Sequence, residues 1–252
     1  MRRKRTALAR LALGAIVVAC GAACSVQGPS DAPKGLEQQI SQGAKADARG
    51  RSLAEAAPAG AGAKASTVSR GKAAVVISGK DITAVGDSVM LASSLSLQQA
   101  FRGIYVDAVV SRRMDAGLSV LRQLAGDGEL RPVVIVGLGT NGGVSTGQVR
   151  QLMRVVGSKR KVILVNTFVP LSYEQPTNSV LAAQARAYPN VVLADWNKTI
   201  SHRASLLWPD DIHPRYPAGT KVYAAMIKAA VAHAVGRQCQ CAVRIGLPPR
   251  AT

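Results

Sequence analysis

From residue 73 onward, short runs of Val, Ile, Leu and Ala alternate with longer stretches in which apolar residues return every three or four positions. The short runs, at residues 82–85, 104–110, 133–138, 162–166 and 191–194, are apolar on successive residues rather than on every second one. That pattern suits strands covered on both faces, as in a parallel sheet between helix layers. The longer stretches, at residues 89–101, 115–125, 146–156, 178–187 and 216–235, carry the helical period. Strict alternation of the two predicts an α/β fold, a flavodoxin-like three-layer α/β/α sandwich on a parallel sheet of about five strands. In such open sheets ligands bind beyond the carboxyl ends of the strands. Polar motifs that directly follow strands are therefore the candidate site.

The chain before residue 73 reads differently. Residues 1–10 carry Arg2, Arg3, Lys4, Arg5 and Arg10 and lead into the apolar run 11–19, the layout of a signal peptide covering residues 1–23. The apolar run is shorter than the roughly 20 residues that span a bilayer. Val17-Val18-Ala19-Cys20 has the order of a bacterial lipobox, in which the Cys20 thiol takes a diacylglycerol and anchors the exported protein to the membrane. The alternative is ordinary cleavage near Ala23 and secretion. Residues 24–72 are rich in Ala, Gly, Ser, Gln and Lys with few large apolar side chains, and are expected to be a flexible low-complexity tether. The catalytic domain is then expected at 73–237, followed by a tail at 238–252.

Charge narrows the partners. The chain holds 32 basic and 14 acidic residues, a formal +18. Removing the leader's five basic residues leaves 27 against 14, or +13, a field that favours anionic wall polymers or lipid headgroups. Nucleic acid is not expected, because aromatics are 4% of the chain and no basic helix carries interleaved aromatics. Cys239 and Cys241 form a Cys-x-Cys that an exported protein could oxidise, with no partner deducible. Two further ligands at suitable spacing are lacking, so neither metal nor another cofactor is expected.

Three motifs follow strand ends. Gly86-Asp87-Ser88 closes the first core strand and opens a helix, where the Ser88 hydroxyl could attack an acyl carbon while its own N–H faces the oxyanion. By itself the triplet equally describes a helix cap. Gly137-Leu138-Gly139-Thr140-Asn141-Gly142 follows the central strand. There Gly139 would allow close approach to substrate, and the Asn141 amide could donate to an oxyanion. Trp208-Pro209-Asp210-Asp211-Ile212-His213-Pro214 precedes the last helix. A carboxylate three residues before an imidazole can orient one ring nitrogen while the other faces a serine, Asp210 being the first choice and Asp211 the alternative. Trp208 and Tyr173 are candidate pocket walls, with ordinary packing as the rival reading. Asn178 is a candidate for a substrate loop or a helix cap. His202 and His233 stand outside every motif.

Together the three motifs resemble the SGNH hydrolases, also called GDSL esterases, over residues 82–235. The resemblance assigns Gly86-Asp87-Ser88 to the nucleophile block, Gly139-Thr140-Asn141 to the third block and Asp210-x-x-His213 to the fifth. It implies a catalytic Ser88, Asp210 and His213, and an oxyanion hole that includes the Ser88 N–H and Asn141. Where the second block carries glycine, this chain has Arg112 in Asp107-Ala-Val-Val-Ser111-Arg112-Arg113. That variant is similar to the extracytoplasmic SGNH domain of bacterial peptidoglycan O-acetyltransferases, and Arg112 becomes a candidate substrate contact. The expected activity is esterase action on O-acyl, above all O-acetyl, esters of envelope carbohydrate through an acyl-serine. Transfer by the same acyl-enzyme and a catalytically silent envelope-binding module are the alternatives.

Overall fold

The structure, a computed structural model, describes residues 34–55 and 77–245, with the backbone alone described for 50–55 and 237–245. It opens with helix α1, Lys34–Glu55. Strand β1, Ile82–Gly86, leads into two short helices, α2 at Ser88–Ala92 and α3 at Ser94–Ala100. Then follow β2 (Tyr105–Ala108), α4 (Met114–Gly126), β3 (Val133–Gly137), α5 (Thr146–Val156) and β4 (Lys161–Val165). The chain ends through α6 (Glu174–Ala187), β5 (Val191–Ala194), α7 (Trp196–Ile200) and α8 (Ala218–Ile245).

The five strands pair in parallel in the order β2-β1-β3-β4-β5. This is the flavodoxin-like order, and its topological switch lies between β1 and β3. Successive strand residues serve opposite layers, which is why the apolar runs are continuous. Val133 and Ile135, like Ile163 and Val165, join one core with α2, α3 and α8. Val134 and Val136, like Val162 and Leu164, join the other with α4, α5 and α6. The register aligns Gly86 with Gly137, so the chains leaving β1 and β3 emerge side by side at the switch.

Four expectations change. Residues 34–55, expected to belong to the tether, form α1 and pack against α2, α3 and β2. The buried positions Leu36, Gln39, Gly43 and Asp47 recur at helical spacing, but only Leu36 is a large hydrophobe, so apolar content does not betray the stripe. The helix expected over 89–101 is broken at Ser93. Ser93 and Ser94 hydroxyls donate back to the carbonyls of Val89 and Met90, 2.9 and 3.2 Å away, a local bond that competes with helical continuity. The tail expected from 238 is helical as far as Ile245, because α8 runs on, and α7 was not foreseen. The leader, its Cys20 and most of the 24–72 segment lie outside the described residues, as do the side chains of Cys239 and Cys241. Among the described residues, no helix is long and apolar enough to cross a membrane.

Candidate active site

Ser88 is the first residue of α2 and is buried, 4% exposed. Asp87 caps that helix: its Oδ1 accepts the Val89 N–H at 3.0 Å, while its own N–H donates to the Gly137 carbonyl at 3.1 Å. The capping and the catalytic readings of Gly86-Asp87-Ser88 are thus compatible, since the cap is Asp87 and not Ser88. Burial pushes the Asp87 carboxyl up to about 6, against the pull of hydrogen bonds from Val89 and Thr140. Gly86 has no room for a side chain, because a Cβ there would lie 2.5 Å from the Met90 side chain.

The 208–214 loop brings its two motif residues to Ser88. His213 Nε2 lies 2.9 Å from Ser88 Oγ, and His213 Nδ1 lies 2.7 Å from Asp210 Oδ2. The other carboxylate oxygen, Oδ1, accepts the backbone N–H groups of Ile212 and His213 at 2.9 and 3.0 Å. Burial would raise the Asp210 carboxyl, but the bonds from the His213 ring and these two N–H groups outweigh it and hold Asp210 below the usual carboxylate range. Asp210 therefore stays ionised beside the ring. With Nδ1–H directed at this carboxylate, Nε2 is the acceptor for the Ser88 hydroxyl proton. Asp211, the alternative orienter, is exposed in a left-handed backbone (φ 55°), and its N–H donates to the Trp208 carbonyl.

The turn after β3 lies beside this pair. Gly139 (φ 150°) and Gly142 (φ 138°) adopt conformations that side chains disfavour, and between them Asn141 is half-buried. The Asn141 amide donates only a long 3.5 Å bond to the Arg112 carbonyl. Thr140 ties the turn to its neighbours: its N–H reaches Asp87 Oδ2 at 3.4 Å and its hydroxyl lies 3.2 Å from that of Thr167. Tyr173, expected as a pocket wall, donates its hydroxyl to the Thr140 carbonyl at 2.6 Å and so braces the turn. Asn178 clasps both backbone groups of Thr167, at 2.9 and 2.8 Å, from inside α6 rather than at its cap.

Arg112 turns inward. Its guanidinium donates to the carbonyls of Gly86 and Asp107 and pairs with the Asp107 carboxylate at 2.7 Å, leaving the side chain 9% exposed. The side chain expected to meet substrate is committed to the backbone that precedes the nucleophile. Trp208 likewise faces α1: its Nε1–H donates to Gln39 Oε1 at 3.1 Å, and Arg215 lies over its ring at 5.3 Å. His202 and His233 are both exposed.

Two supports received no role in the sequence reading, although the Val165-Asn166-Thr167 to Pro170 stretch is itself similar to the acyltransferase domains. Asn166, after β4, donates to Asp195 at 2.7 Å and accepts the Asn197 N–H at 2.9 Å, fixing the floor next to Thr167. Their strand-end positions were a usable signal. Gln39, in α1, reaches the 208–216 segment from a region read as featureless. Among the described residues no cluster of three or more His, Cys, Asp or Glu side chains could hold a metal ion.

Comparison with known proteins bears on this arrangement. No protein-family model matches the chain. It is 37% identical over 152 residues to the Bacillus subtilis "Putative peptidoglycan O-acetyltransferase YrhL", covering 60% of this chain and 24% of that protein. It is 31% identical over 148 residues to the peptidoglycan O-acetyltransferase OatA of Listeria monocytogenes, covering 59% of this chain and 23% of OatA. The chain thus spans about a quarter of the length of these relatives. Among solved structures, the C-terminal catalytic domain of Streptococcus pneumoniae OatA with a methylsulfonyl adduct superposes with a TM-score of 0.56 at 22% identity, over 62% of this chain and 94% of that domain. The α/β fold of the described core is therefore also the fold of that catalytic domain.

Proposed function

We propose that this chain is an SGNH-type serine enzyme that moves O-acetyl groups of cell-wall carbohydrate through an acetyl-Ser88 intermediate. The observation that carries the reading is the unbroken chain Ser88 Oγ to His213 Nε2 and His213 Nδ1 to Asp210, at 2.9 and 2.7 Å. In this reading His213 takes the Ser88 proton as Oγ bonds to the acetyl carbon, and Asp210 steadies the imidazolium that forms. The tetrahedral oxyanion is met by the Ser88 N–H, one of the first-turn donors a helix leaves unpaired, and by the Asn141 amide. Collapse breaks the bond to the departing oxygen, which takes the proton from His213. An incoming hydroxyl then repeats the sequence in reverse, giving its proton to His213 as it attacks the acetyl carbon and frees Ser88. Gly139, expected to open the approach to substrate, instead lets the turn pack closely: a Cβ there would lie 3.2 Å from the Thr177 side chain and 3.7 Å from that of Thr167.

Water and a sugar hydroxyl both complete this cycle, giving esterase or transferase. Similarity to proteins named as O-acetyltransferases favours the sugar hydroxyl. Export by the leader, with Cys20 as lipid anchor and the basic surface held near anionic wall polymer, is consistent with such a substrate. The deciding experiment offers an aryl acetate with and without a wall-glycan fragment. Acetyl-Ser88 should be trapped by mass spectrometry, and acetylated glycan should appear at the expense of free acetate. No acyl adduct on Ser88 under either condition would refute the reading.

A further inference from the structure

Helix α1 lies outside the alternating β-α unit, yet one of its side chains holds both halves of the candidate site. Gln39 is 7% exposed and uses the full hydrogen-bonding capacity of its amide. Its Nε2 donates to the carbonyl of Ala92 at 3.0 Å and of Pro214 at 2.8 Å. Its Oε1 accepts Trp208 Nε1–H at 3.1 Å and the Tyr216 backbone N–H at 3.0 Å. Ala92 ends the helix that Ser88 begins. Trp208 and Pro214 flank the segment that carries Asp210 and His213, a segment closed on itself by the Trp208 N–H to His213 carbonyl bond of 2.8 Å. Two glycines seat α1 against the same partners. A Cβ on Gly35 would lie 2.5 Å from the Trp208 ring, and one on Gly43 would lie 2.1 Å from the Leu91 carbonyl oxygen.

We propose that Gln39 is a positioning residue for acyl transfer, and that docking of α1 sets the His213 loop against the helix that carries Ser88. The inference rests on the serine-enzyme reading above. An apolar core would hold α1 in place equally well. A single buried amide bonded to Ala92, Trp208, Pro214 and Tyr216 fixes a distance between the nucleophile's helix and the base's loop, which nonpolar contact does not.

The test uses the full chain carrying Gln39→Met, which keeps length and removes all four bonds. The comparison is Leu121→Ala, a cavity in the opposite helix layer where Leu121 is fully buried. Both are assayed with an aryl acetate at a temperature where both are folded. Gln39→Met should lower kcat about ten- to a hundredfold, since misplacement by about 1 Å costs that much, with KM changed less than about twofold. Leu121→Ala should leave kcat within about twofold of wild type, because its cavity is remote from the loop. Independently of turnover, the downfield proton resonance of His213 Nδ1–H should shift upfield or broaden in Gln39→Met and stay unchanged in Leu121→Ala. An unchanged resonance in Gln39→Met, or a fall in kcat no larger than that of Leu121→Ala, would overturn the positioning role. A shifted resonance in a protein whose wild type forms no acyl-enzyme would sustain the positioning of His213 while removing the serine-enzyme reading.

Discussion

Ser88 and His213 share one proton across 2.9 Å, so neither can do its part without the other. Ser88→Ala and His213→Ala should each lower aryl acetate turnover by roughly three orders of magnitude or more, and the double variant should be little worse than either. Multiplying losses would break the triad assignment. Asn141 predicts a different signature. Its amide makes only a 3.5 Å bond at rest, so it has little to lose in the ground state and a charge-assisted bond to gain as the oxyanion forms. Asn141→Ala should lower kcat about a hundred- to a thousandfold with KM almost unchanged. A raised KM at normal kcat would make it a substrate-binding residue. Asp87 predicts a pH effect on stability. Its rise from 3.8 to about 6 on folding corresponds to about 3 kcal/mol between its neutral and ionised forms. The folded state binds the proton more tightly, so this contribution is complete below about pH 4 and is lost as pH climbs towards and past 6. Asp87→Asn keeps a carbonyl for the Val89 N–H and does not titrate. Urea unfolding from pH 4 to 7 should show wild type losing about 3 kcal/mol relative to this variant. A pH-independent difference would mean that Asp87 is not desolvated as the fold implies.

At the scale of elements, α1 sits closer to α2 than any side chain would allow. Replacing Gly43 by Ala in an ordinary exposed helix would gain about 0.8–1 kcal/mol of helix propensity. Here the new Cβ would meet the Leu91 carbonyl oxygen at 2.1 Å, and a backbone atom cannot swing aside. Overpacking of this kind costs about 1–3 kcal/mol, so Gly43→Ala should lower the unfolding midpoint despite the better propensity. A higher midpoint would show that α1 is loosely seated. Elements also decide how much of the site was legible. Ser88, Asn141 and the Asp210-His213 pair were readable because each follows a strand or precedes a helix that the apolar pattern locates. Arg112 and Trp208 were readable as unusual residues but not as to direction. Nothing along the chain says that one guanidinium folds back onto Gly86 and Asp107, or that one indole faces α1.

For the whole molecule, the balance of 32 basic to 14 acidic residues gives a long-range field without specifying any contact. If that field recruits the protein to wall, binding to a phosphate-rich polymer should weaken steeply as ionic strength rises from about 0.01 to 0.15 M and the Debye length falls from about 30 to 8 Å. The KM for a neutral aryl acetate should not move over the same range. Retention that ignores salt would assign wall affinity to a specific pocket.

The sequence alone determined the α/β class and the ends of most strands, because local periodicity reports which faces are buried. It also placed the motifs after β1 and β3 at one end of the sheet, since parallel strands all present their carboxyl ends there. Tertiary structure decided the rest. It chose Asp210 over Asp211 through the bonds from Ile212 and His213, and it brought His213 to Ser88 across 125 positions of chain. It also turned a segment poor in hydrophobes into a helix that holds the site. In its buried stripe, Gly43 is set by close approach and Gln39 by hydrogen bonds to distant backbone, and neither leaves a trace in local hydropathy.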